Sequence, residues 1–430
     1  MTPPLARRAS CRLSLPWRDP VTAFAPLEAQ AYSLLLHDGR SGRARLFATP
    51  SDVFEGASRA AFDVFAKAFR QAPEVMWAGL FGYDLAGAFE SLPSWSDKPV
   101  ALNMAAYSCW AEFDHDRGEI FIHARNDSEA RAFADRLGQD ALAAARPAAR
   151  AEWRNNWSAE TYLKAAQSAR DYVHAGDVFQ VNLSQRFNCT LGQSDTPFEV
   201  FRRLCEGSPA PHAAYLRLSD DKVVMTNSPE RFIAVRNGQI EARPIKGTRK
   251  RDADPGRDNT LKAELAASLK DRAENLMIVD LMRNDLARVC AAGSVEVPLL
   301  CEIETYANVH HLVSQVLGQL GPGHDLVDLL EASFPPGSIT GAPKVRAMEI
   351  ISELEAEPRG AYCGALGWMS DQAMDLNVMI RTATLRRVDG CWEAEVRSGG
   401  GIVADSDPQA EYEETLTKAS ALRAALGGAQ

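Results

Sequence analysis

Residues 232–248 read Phe-Ile-Ala-Val-Arg-Asn-Gly-Gln-Ile-Glu-Ala-Arg-Pro-Ile-Lys-Gly-Thr, and this stretch indicates an antiparallel β fold. Two short apolar runs flank Asn237-Gly238, a dipeptide preferred in two-residue hairpin turns. The stretch then leads through Pro244 to Lys246, which is followed by Gly247. A lysine at the end of a stiff strand has a restricted position. Taken alone, however, the pentapeptide 244–248 is more typical of a basic surface loop.

Four further cationic residues surround this lysine in the sequence: Arg243, Arg249, Lys250 and Arg251. Like charges nearby, or burial, lower the pKa of a lysine and raise its neutral, nucleophilic fraction. A free lysine is neutral in only about one part in a thousand near pH 7.5. Such a shift would therefore matter if Lys246 takes part in chemistry.

The composition excludes several classes of protein. The 430 residues are 46% hydrophobic and 24% charged, which is ordinary for a globular chain, and the net charge is −10. This charge argues against nucleic-acid and anionic-membrane partners, and no apolar run is long enough to predict a membrane span. The eight cysteines form no CxxC pair. The expectation is a cytoplasmic enzyme with reduced thiols.

Strand and helix patterns alternate irregularly, which predicts an α+β fold with antiparallel sheets. A break at 147–156 divides the chain into a predicted N-terminal part, 1–150, and a predicted catalytic part, 158–426. In the second part the periodicity predicts a long helical tract over 259–289, one strand over 376–385, and a turn at Gly399-Gly400-Gly401.

Two predicted helices carry acidic residues three positions apart, Asp271 with Glu274 and Glu411 with Glu414. Residues at this spacing share one helix face. Magnesium takes one or two protein carboxylates together with waters and substrate oxygens. Two such helices across a cleft would suit Mg²⁺, although acidic pairs of this kind more often face solvent.

A glycine- and hydroxyl-rich loop over 337–344 precedes another helix, with Pro343 at the predicted first helical position. Its free N–H groups could bind a carboxylate or phosphate, or it could be a plain helix cap. Other single candidates are Glu230, which alone is a turn acid, and Arg381, which could grip a carboxylate or form a structural ion pair. His311 alone is more typical of a core histidine.

The order of these motifs resembles that of the chorismate-utilising enzymes. The resemblance is dense from Thr161 to Arg423 and rests on six motifs: Ser228–Phe232, Pro244–Arg249, Asp271–Asn275 with Arg283–Leu286, His311–Ser314, Gly337–Lys344 and Glu411–Lys418.

The resemblance implies two large packed antiparallel sheets with helices outside, and a cleft for chorismate and Mg²⁺. Glu274 and Glu414 would be metal ligands, supported by Asp271 and Glu411. The residues implied in substrate binding are His311, Ser338, Thr340, Gly341, Tyr362, Arg381, Gly399, Gly401 and Lys418.

Two positions distinguish branches of this family. Branches that add water to chorismate carry a lysine base where Gln180 stands, so isochorismate synthesis is not expected. Anthranilate synthases usually carry alanine at the position of Lys246, whereas lysine marks the aminodeoxychorismate branch.

The resemblance therefore implies amination of chorismate at C4, with Lys246 as nucleophile and Glu230 as general acid. The chain shows no glutaminase nucleophile, so ammonia is expected from a separate glutamine amidotransferase subunit. The alternatives are anthranilate synthesis and a non-catalytic chorismate-binding subunit.

Overall fold

The computed structural model describes residues 11–39, 41–72, 74–92, 100–306 and 309–428. Within these ranges the helices are α1 (Pro20–Phe24), α2 (Arg59–Gln71), α3 (Asp127–Ala134), α4 (Ala159–Ala175), α5 (Pro197–Gly207), α6 (Pro255–Ala267), α7 (Leu269–Ala287), α8 (Leu326–Ser333), α9 (Lys344–Glu355) and α10 (Pro408–Ala425). None of them is long and apolar enough to cross a membrane.

The strands in the first half of the chain are β1 (Cys11–Pro16), β2 (Leu34–His37), β3 (Ala44–Phe47), β4 (Asp52–Gly56), β5 (Met76–Phe81), β6 (Leu102–Tyr107), β7 (Trp110–Asp114), β8 (Glu119–Ala124), β9 (Trp153–Asn155), β10 (Gln180–Thr190), β11 (His212–Ser219) and β12 (Lys222–Ser228). Those in the second half are β13 (Arg231–Arg236), β14 (Gln239–Ala242), β15 (Ile245–Lys250), β16 (Glu296–Thr305), β17 (Val309–Gln319), β18 (Gly341–Ala342), β19 (Ala365–Met369), β20 (Ala373–Val378), β21 (Thr382–Val388) and β22 (Cys391–Ile402).

These strands form two large antiparallel sheets, which confirms the predicted α+β class. The first sheet has 12 strands in the order β1-β8-β7-β3-β2-β11-β12-β21-β22-β10-β18, with β9 beside β10. The second has 10 strands in the order β15-β17-β14-β13-β20-β19-β5-β6-β4, with β16 beside β17. Strands from both sides of the 147–156 break pair directly, β2 with β11 and β5 with β19. The two parts of the chain therefore share both sheets.

Strand β11 shows why the sheets pack in layers. Its side chains alternate between the two faces of the sheet. Ala214 and Leu216 contribute to the core between the sheets. Tyr215 points the other way and packs on Phe24 of α1 and Phe198 of α5. The helices thus cover the outer faces, while apolar residues on both strand faces hold the layers together.

The predicted helical tract over 259–289 forms two helices, α6 and α7, because the chain breaks at Ser268. This residue is extended (ψ 106°) and its side chain accepts a hydrogen bond from the backbone N–H of Asp271, so it caps a new helix, α7. The predicted strand over 376–385 is wrong. It divides into β20 and β21, which belong to different sheets, and Arg381 forms the corner between them with a positive φ of 51°.

The predicted hairpin at Asn237-Gly238 is confirmed as β13 and β14. Strand β14 pairs with the second half of β17, and β15 pairs with its first half. The sequence patterns do not predict β17, which carries His311. Because β17 pairs with β15, Lys246 of β15 lies in the second sheet.

Candidate active site

A β-bulge at Gly247 sets the position of Lys246. Lys246 pairs with Leu312 of β17 and Thr248 pairs with His311, so Gly247 is the extra residue in β15. Its φ of +75° is accessible mainly to glycine. A Cβ at this position would lie 2.8 Å from the side chain of Asp271. The bulge therefore allows β15, the strand that carries Lys246, to approach α7 closely.

The Lys246 ammonium lies among α7, α10 and the loop that precedes α9. It donates to the main-chain oxygen of Ser338 at 3.4 Å. The charged side chains acting on it are Glu274, Glu230, Lys418 and Glu414. Burial lowers the pKa of Lys246, the two glutamates Glu274 and Glu230 oppose this shift, and Lys418 adds to it.

The sequence-adjacent cations do not cause this shift. Arg243 forms an ion pair with Glu304, and Arg251 pairs with Asp258 at 2.8 Å. Burial is the larger of the two expected causes of the lowered Lys246 pKa. The like charge that also lowers this pKa comes from Lys418, which is far along the chain.

Glu230 lies at the turn between β12 and β13 and is 8% exposed. Its backbone N–H donates to Ser228 Oγ at 3.1 Å, which fixes the turn. Burial raises the pKa of the Glu230 carboxyl, while a hydrogen bond from the Ser338 side chain and the charge of Lys246 act in the opposite direction. Ser338 therefore contacts both of the residues predicted to be catalytic.

The loop over 337–344 forms a 3-10 turn (Gly337–Ile339) and then strand β18. Pro343 is the residue before α9 rather than its first residue. Thr340 is fully buried, and its carbonyl accepts from the backbone of Asn182 at 2.8 Å. Gly341 pairs with Val181 of β10, and a Cβ on it would lie 2.1 Å from the Gln180 carbonyl. Only glycine permits this close approach.

The predicted turn at 399–401 is wrong, because these glycines lie inside strand β22 and pair with β10. A Cβ on Gly399 would lie 2.4 Å from the Leu183 carbonyl, and a Cβ on Gly401 would lie 2.6 Å from Gln180 Nε2. The run lacks side chains because neighbouring strands and side chains fill the space. Lys418 donates to the Gly399 carbonyl at 3.1 Å.

The four predicted metal carboxylates fall into two groups. Asp271 forms an ion pair with Arg249 at 3.3 Å, and Glu411 accepts from Ser406 at 2.7 Å. Both of these carboxylates therefore already have partners outside their own helices.

Glu274 and Glu414 have lysine partners one turn along their own helices. The distances are 4.0 Å from Glu274 to Lys270 and 2.7 Å from Glu414 to Lys418. Burial raises the pKa of Glu274, the charges of Lys246 and Lys270 oppose this shift, and those of Asp271 and Glu414 add to it. The charge of Glu414 on α10 therefore acts on Glu274 of α7.

Within the described ranges, no group of three or more His, Cys, Asp or Glu side chains could hold a metal ion. Glu274 and Glu414 instead offer two carboxylates from facing helices. Mg²⁺ is commonly bound by one or two carboxylates with waters and substrate oxygens. The donor set present therefore fits Mg²⁺ whose remaining ligands come from substrate and water.

Three further predicted residues lie on other elements. His311 Nδ1 is 2.9 Å from Thr248 Oγ1, so its ring is on the strand pair that carries Lys246. Tyr362 is 5% exposed, and its ring lies 5.8 Å from the Arg359 guanidinium. Arg381 lies at the corner between β20 and β21, where its carbonyl accepts from the Asn227 backbone.

Sequence reasoning assigned no role to two charged residues that support this site, Arg359 and Lys344. Arg359, 2% exposed, donates to the carbonyls of Ile339 and Asn182 and to both oxygens of Glu355. Lys344 joins α9 to Asp285 of α7 at 2.7 Å. The sequence gives only a weak signal for these two residues. Arg359 and Lys344 are cations beside glycine or proline, and a partner that is distant in the chain leaves no local pattern.

Gln180 is the first residue of β10 and pairs with Ala342 of β18. It is fully buried beside Gly401, and within the described part of the chain neither its amide nitrogen nor its amide oxygen has a hydrogen-bond partner. Buried polar groups are usually paired, so this amide is available to a bound ligand.

Comparison with known proteins identifies the family of this chain. A family model described as chorismate binding enzyme matches residues 30–424. The chain belongs to this family of chorismate-binding enzymes, which confirms the resemblance drawn from motif order.

Among curated relatives, aminodeoxychorismate synthase component 1 of Klebsiella aerogenes is 42% identical over 94% of this chain and 96% of its own length. The protein of that name from Escherichia coli strain K12 is 45% identical over 79% of this chain and 74% of its own length. The solved structure of anthranilate synthase component I from Streptococcus pneumoniae TIGR4 superposes with a TM-score of 0.71 at 26% identity, covering 97% of this chain and 93% of that one.

Proposed function

We propose that this chain aminates chorismate at C4 to give 4-amino-4-deoxychorismate, in the route to 4-aminobenzoate and folate. The names of the relatives that match nearly the whole chain support this activity. The observation that carries the mechanism is the placement of Ser338, whose carbonyl contacts the Lys246 ammonium and whose side chain contacts Glu230. A candidate nucleophile and a candidate acid thus flank one residue.

The reaction replaces a hydroxyl by an amine at the same carbon. Two successive displacements achieve this with retained geometry. Neutral Lys246 attacks C2 of chorismate, the two conjugated ring double bonds shift, and the C4 hydroxyl leaves as water after Glu230 donates its proton. Burial favours both required states, since it lowers the pKa of Lys246 and raises that of Glu230.

Ammonia then attacks C4, both ring double bonds shift back, and the C2–N bond to Lys246 breaks. The lysine leaves as a neutral amine, and the carboxylate of Glu230 takes a proton from the new C4 ammonium. Both side chains return to their starting states, so the net change is chorismate plus ammonia to aminodeoxychorismate plus water.

Glu274 and Glu414 would hold Mg²⁺, which when bound draws negative charge from the ring carboxylate and eases departure of the leaving group. Around it, Thr340, Gly341, Gly399, Gly401, Tyr362, Arg381 and Lys418 would bind the carboxylates of chorismate. His311 and Ser338 would line the side of the pocket nearest the reacting ring. These residues all belong to the proposed catalytic part, 158–426.

The name "component 1" of the relatives supports a two-component enzyme. We infer that a separate glutamine amidotransferase supplies ammonia to this chain. The eight cysteines are free thiols, as is usual in a reducing compartment, and this supports the proposed cytoplasmic location.

Product analysis tests the proposed function. The purified chain is incubated with chorismate, Mg²⁺ and ammonium, and the products are identified by mass spectrometry. Aminodeoxychorismate is the expected product, whereas anthranilate or isochorismate would overturn the proposal. Without ammonium, a peptide containing Lys246 should carry the mass of the chorismate-derived adduct.

Two lysine variants sharpen this test. Lys246→Ala should abolish 4-amination and the adduct while chorismate still binds. Lys222→Ala is a matched control, because burial also lowers the pKa of Lys222, which lies on β12 outside the proposed machinery. Amination by Lys246→Ala at the parent rate would rule out the covalent role.

A further inference from the structure

The ammonium of Lys344 makes two short hydrogen bonds beside the loop over 337–344. It donates to Asp285 Oδ2 at 2.7 Å and to the Ser333 carbonyl at 2.7 Å. The side chains of Lys344 and Asp285 are only 12% and 9% exposed. Neither residue has a role in the chemistry described above, so this buried pair needs a different explanation.

The bond to Ser333 closes the loop formed by residues 334–343. Ser333 is the last residue of α8 and Lys344 is the first residue of α9, so the ammonium joins the two ends of the connection 334–343. The same connection rests on α7, because a Cβ on Gly337 would lie 2.5 Å from Leu281. Through Asp285, also on α7, the ammonium anchors the closed loop to the helix that carries Glu274.

The closed loop carries Ser338, whose carbonyl and side chain contact the two proposed catalytic residues. A contact of 3.4 Å is lost if the loop moves by about an ångström, and misplacements of that size can cost about 100-fold in rate. The position of Ser338 therefore depends on what holds the loop ends.

Stability alone is a poor explanation for the pair. Burial lowers the pKa of Lys344 and raises that of Asp285, and the nearby charges are Arg288 and Glu90. Well-packed apolar residues often stabilise a fold as well as a buried ion pair does. An ion pair that also binds a carbonyl, however, fixes direction and distance in a way that apolar contacts do not.

We propose that Lys344 and Asp285 are positioning residues, which clamp the connection 334–343 onto α7 and so hold Ser338 against Lys246 and Glu230. The catalytic part of this inference rests on the proposed amination. The structural part, the effect of the clamp on the surroundings of Lys246, does not.

The chain offers a matched control in Arg203. Its guanidinium pairs with Asp195 at 3.0 Å, both side chains are at most 10% exposed, and it also donates to a main-chain oxygen, that of Ala425. Arg203→Met thus removes a buried cation of the same kind from a cluster on α5, a helix that carries none of the proposed site residues.

The experiment has two readouts. The first is the rate at which a small acylating reagent labels Lys246, followed by peptide mass spectrometry on the full chain without substrate. Lys344→Met should raise this rate about tenfold or more, because local opening exposes the amine. Arg203→Met should leave it unchanged, even if both variants lower the melting temperature equally.

The second readout is a double-mutant cycle with Ser338→Ala, measured as kcat/KM for amination well below the melting temperature. If the clamp acts through Ser338, the double variant with Lys344→Met should be at least about fivefold more active than the product of the two single losses predicts. The losses from Arg203→Met and Ser338→Ala should simply multiply.

Unchanged labelling of Lys246 in folded Lys344→Met, together with multiplicative losses, would overturn the proposal. If Lys344→Met does not fold, Asp285→Asn replaces it, since this change keeps the shape and removes the charge. If the parent chain makes no aminodeoxychorismate, the proposed function fails, and the labelling readout still decides whether Lys344 positions the loop.

Discussion

Lys246 donates a hydrogen bond across 3.4 Å to the main-chain oxygen of Ser338, although 92 positions separate the two residues in the chain. The lysine comes from the second sheet and the serine from a loop beside the first. This contact therefore joins the two sheets at the point where Glu230 also approaches. The chemistry of the site depends on how accurately that junction is held.

Glu230→Gln should lower kcat for amination by about 10²–10⁴-fold, because the variant cannot protonate the leaving hydroxyl. The parent enzyme should show a bell-shaped pH profile at a fixed concentration of free ammonia. The acid must be protonated, so activity needs a pH below the raised pKa of Glu230, and the nucleophile must be neutral, so activity needs a pH above the lowered pKa of Lys246.

The basic limb of this profile should disappear in Glu230→Gln, since no proton donor remains to be lost at high pH. This holds whether Glu230 or Lys246 has the lower pKa, because the apparent pKa values of both limbs describe the two groups together. A basic limb that persists unchanged in the variant would mean that another group donates the proton.

Glu274→Gln and Glu414→Gln should each raise the Mg²⁺ concentration needed for half-maximal amination. The expected increase is at least about 10–100-fold, the loss typical even for residues that only support a metal ligand. Asp271→Asn and Glu411→Gln should have smaller effects, because Arg249 and Ser406 already engage those carboxylates.

Glu413→Gln is the control for the metal series, since Glu413 is exposed on the same helix as Glu414. The measurement is the initial rate of amination against Mg²⁺ concentration. Equal Mg²⁺ dependence in Glu413→Gln and Glu414→Gln would remove Glu414 from the metal site.

Gly247→Ala should destabilise the fold by about 1–3 kcal/mol, because a non-glycine residue is strained at φ +75°. It should also lower kcat strongly, since the new Cβ would push β15 away from Asp271. Gly118→Ala provides the matched control: Gly118 has φ +65°, and a Cβ there meets nothing within 4 Å. Chemical unfolding and steady-state rates measure the two effects.

The control should lose a similar free energy of unfolding with no change in kcat. If Gly247→Ala behaves like Gly118→Ala in both assays, the bulge does not set the position of Lys246.

Asp84 links the first part of the chain to the second, because its carboxylate accepts from the backbone N–H of Gly360 at 2.6 Å. Burial raises the pKa of Asp84 from 3.8 to about 6. Between these two values the folded chain holds a proton that the unfolded chain has lost. Stability contributed by Asp84 should therefore fall as the pH rises through this window, by about 1–3 kcal/mol.

Asp84→Asn should remove that decline, because an amide does not titrate. The free energy of unfolding, measured between pH 3.5 and pH 7 for the parent and the variant, gives a difference curve. A difference that does not change with pH would show that the Asp84 carboxyl is not held in a buried, proton-retaining environment.

Local sequence patterns predicted elements that depend on neighbouring residues. The Asn237-Gly238 hairpin, the acidic faces of α7 and α10, and the class of fold follow from turn preference and side-chain periodicity. Two predictions made from local patterns were wrong where distant contacts decide the structure. The glycines 399–401 look like a turn in sequence, but they lie within β22 because β10 approaches too closely for side chains. Arg381 ends a strand because the chain crosses there to the other sheet.

The sequence by itself determined which side chains are available to the site: a lysine at a strand end, a turn glutamate, two pairs of helical carboxylates and two glycine-rich segments. Only the tertiary structure decided the environment of each. It surrounded Lys246 with glutamates and one distant lysine, assigned its sequence-adjacent arginines to other carboxylates, and closed the Ser338 loop with Lys344. Burial and long-range pairing set pKa values and distances, and neither is encoded within a few neighbouring residues.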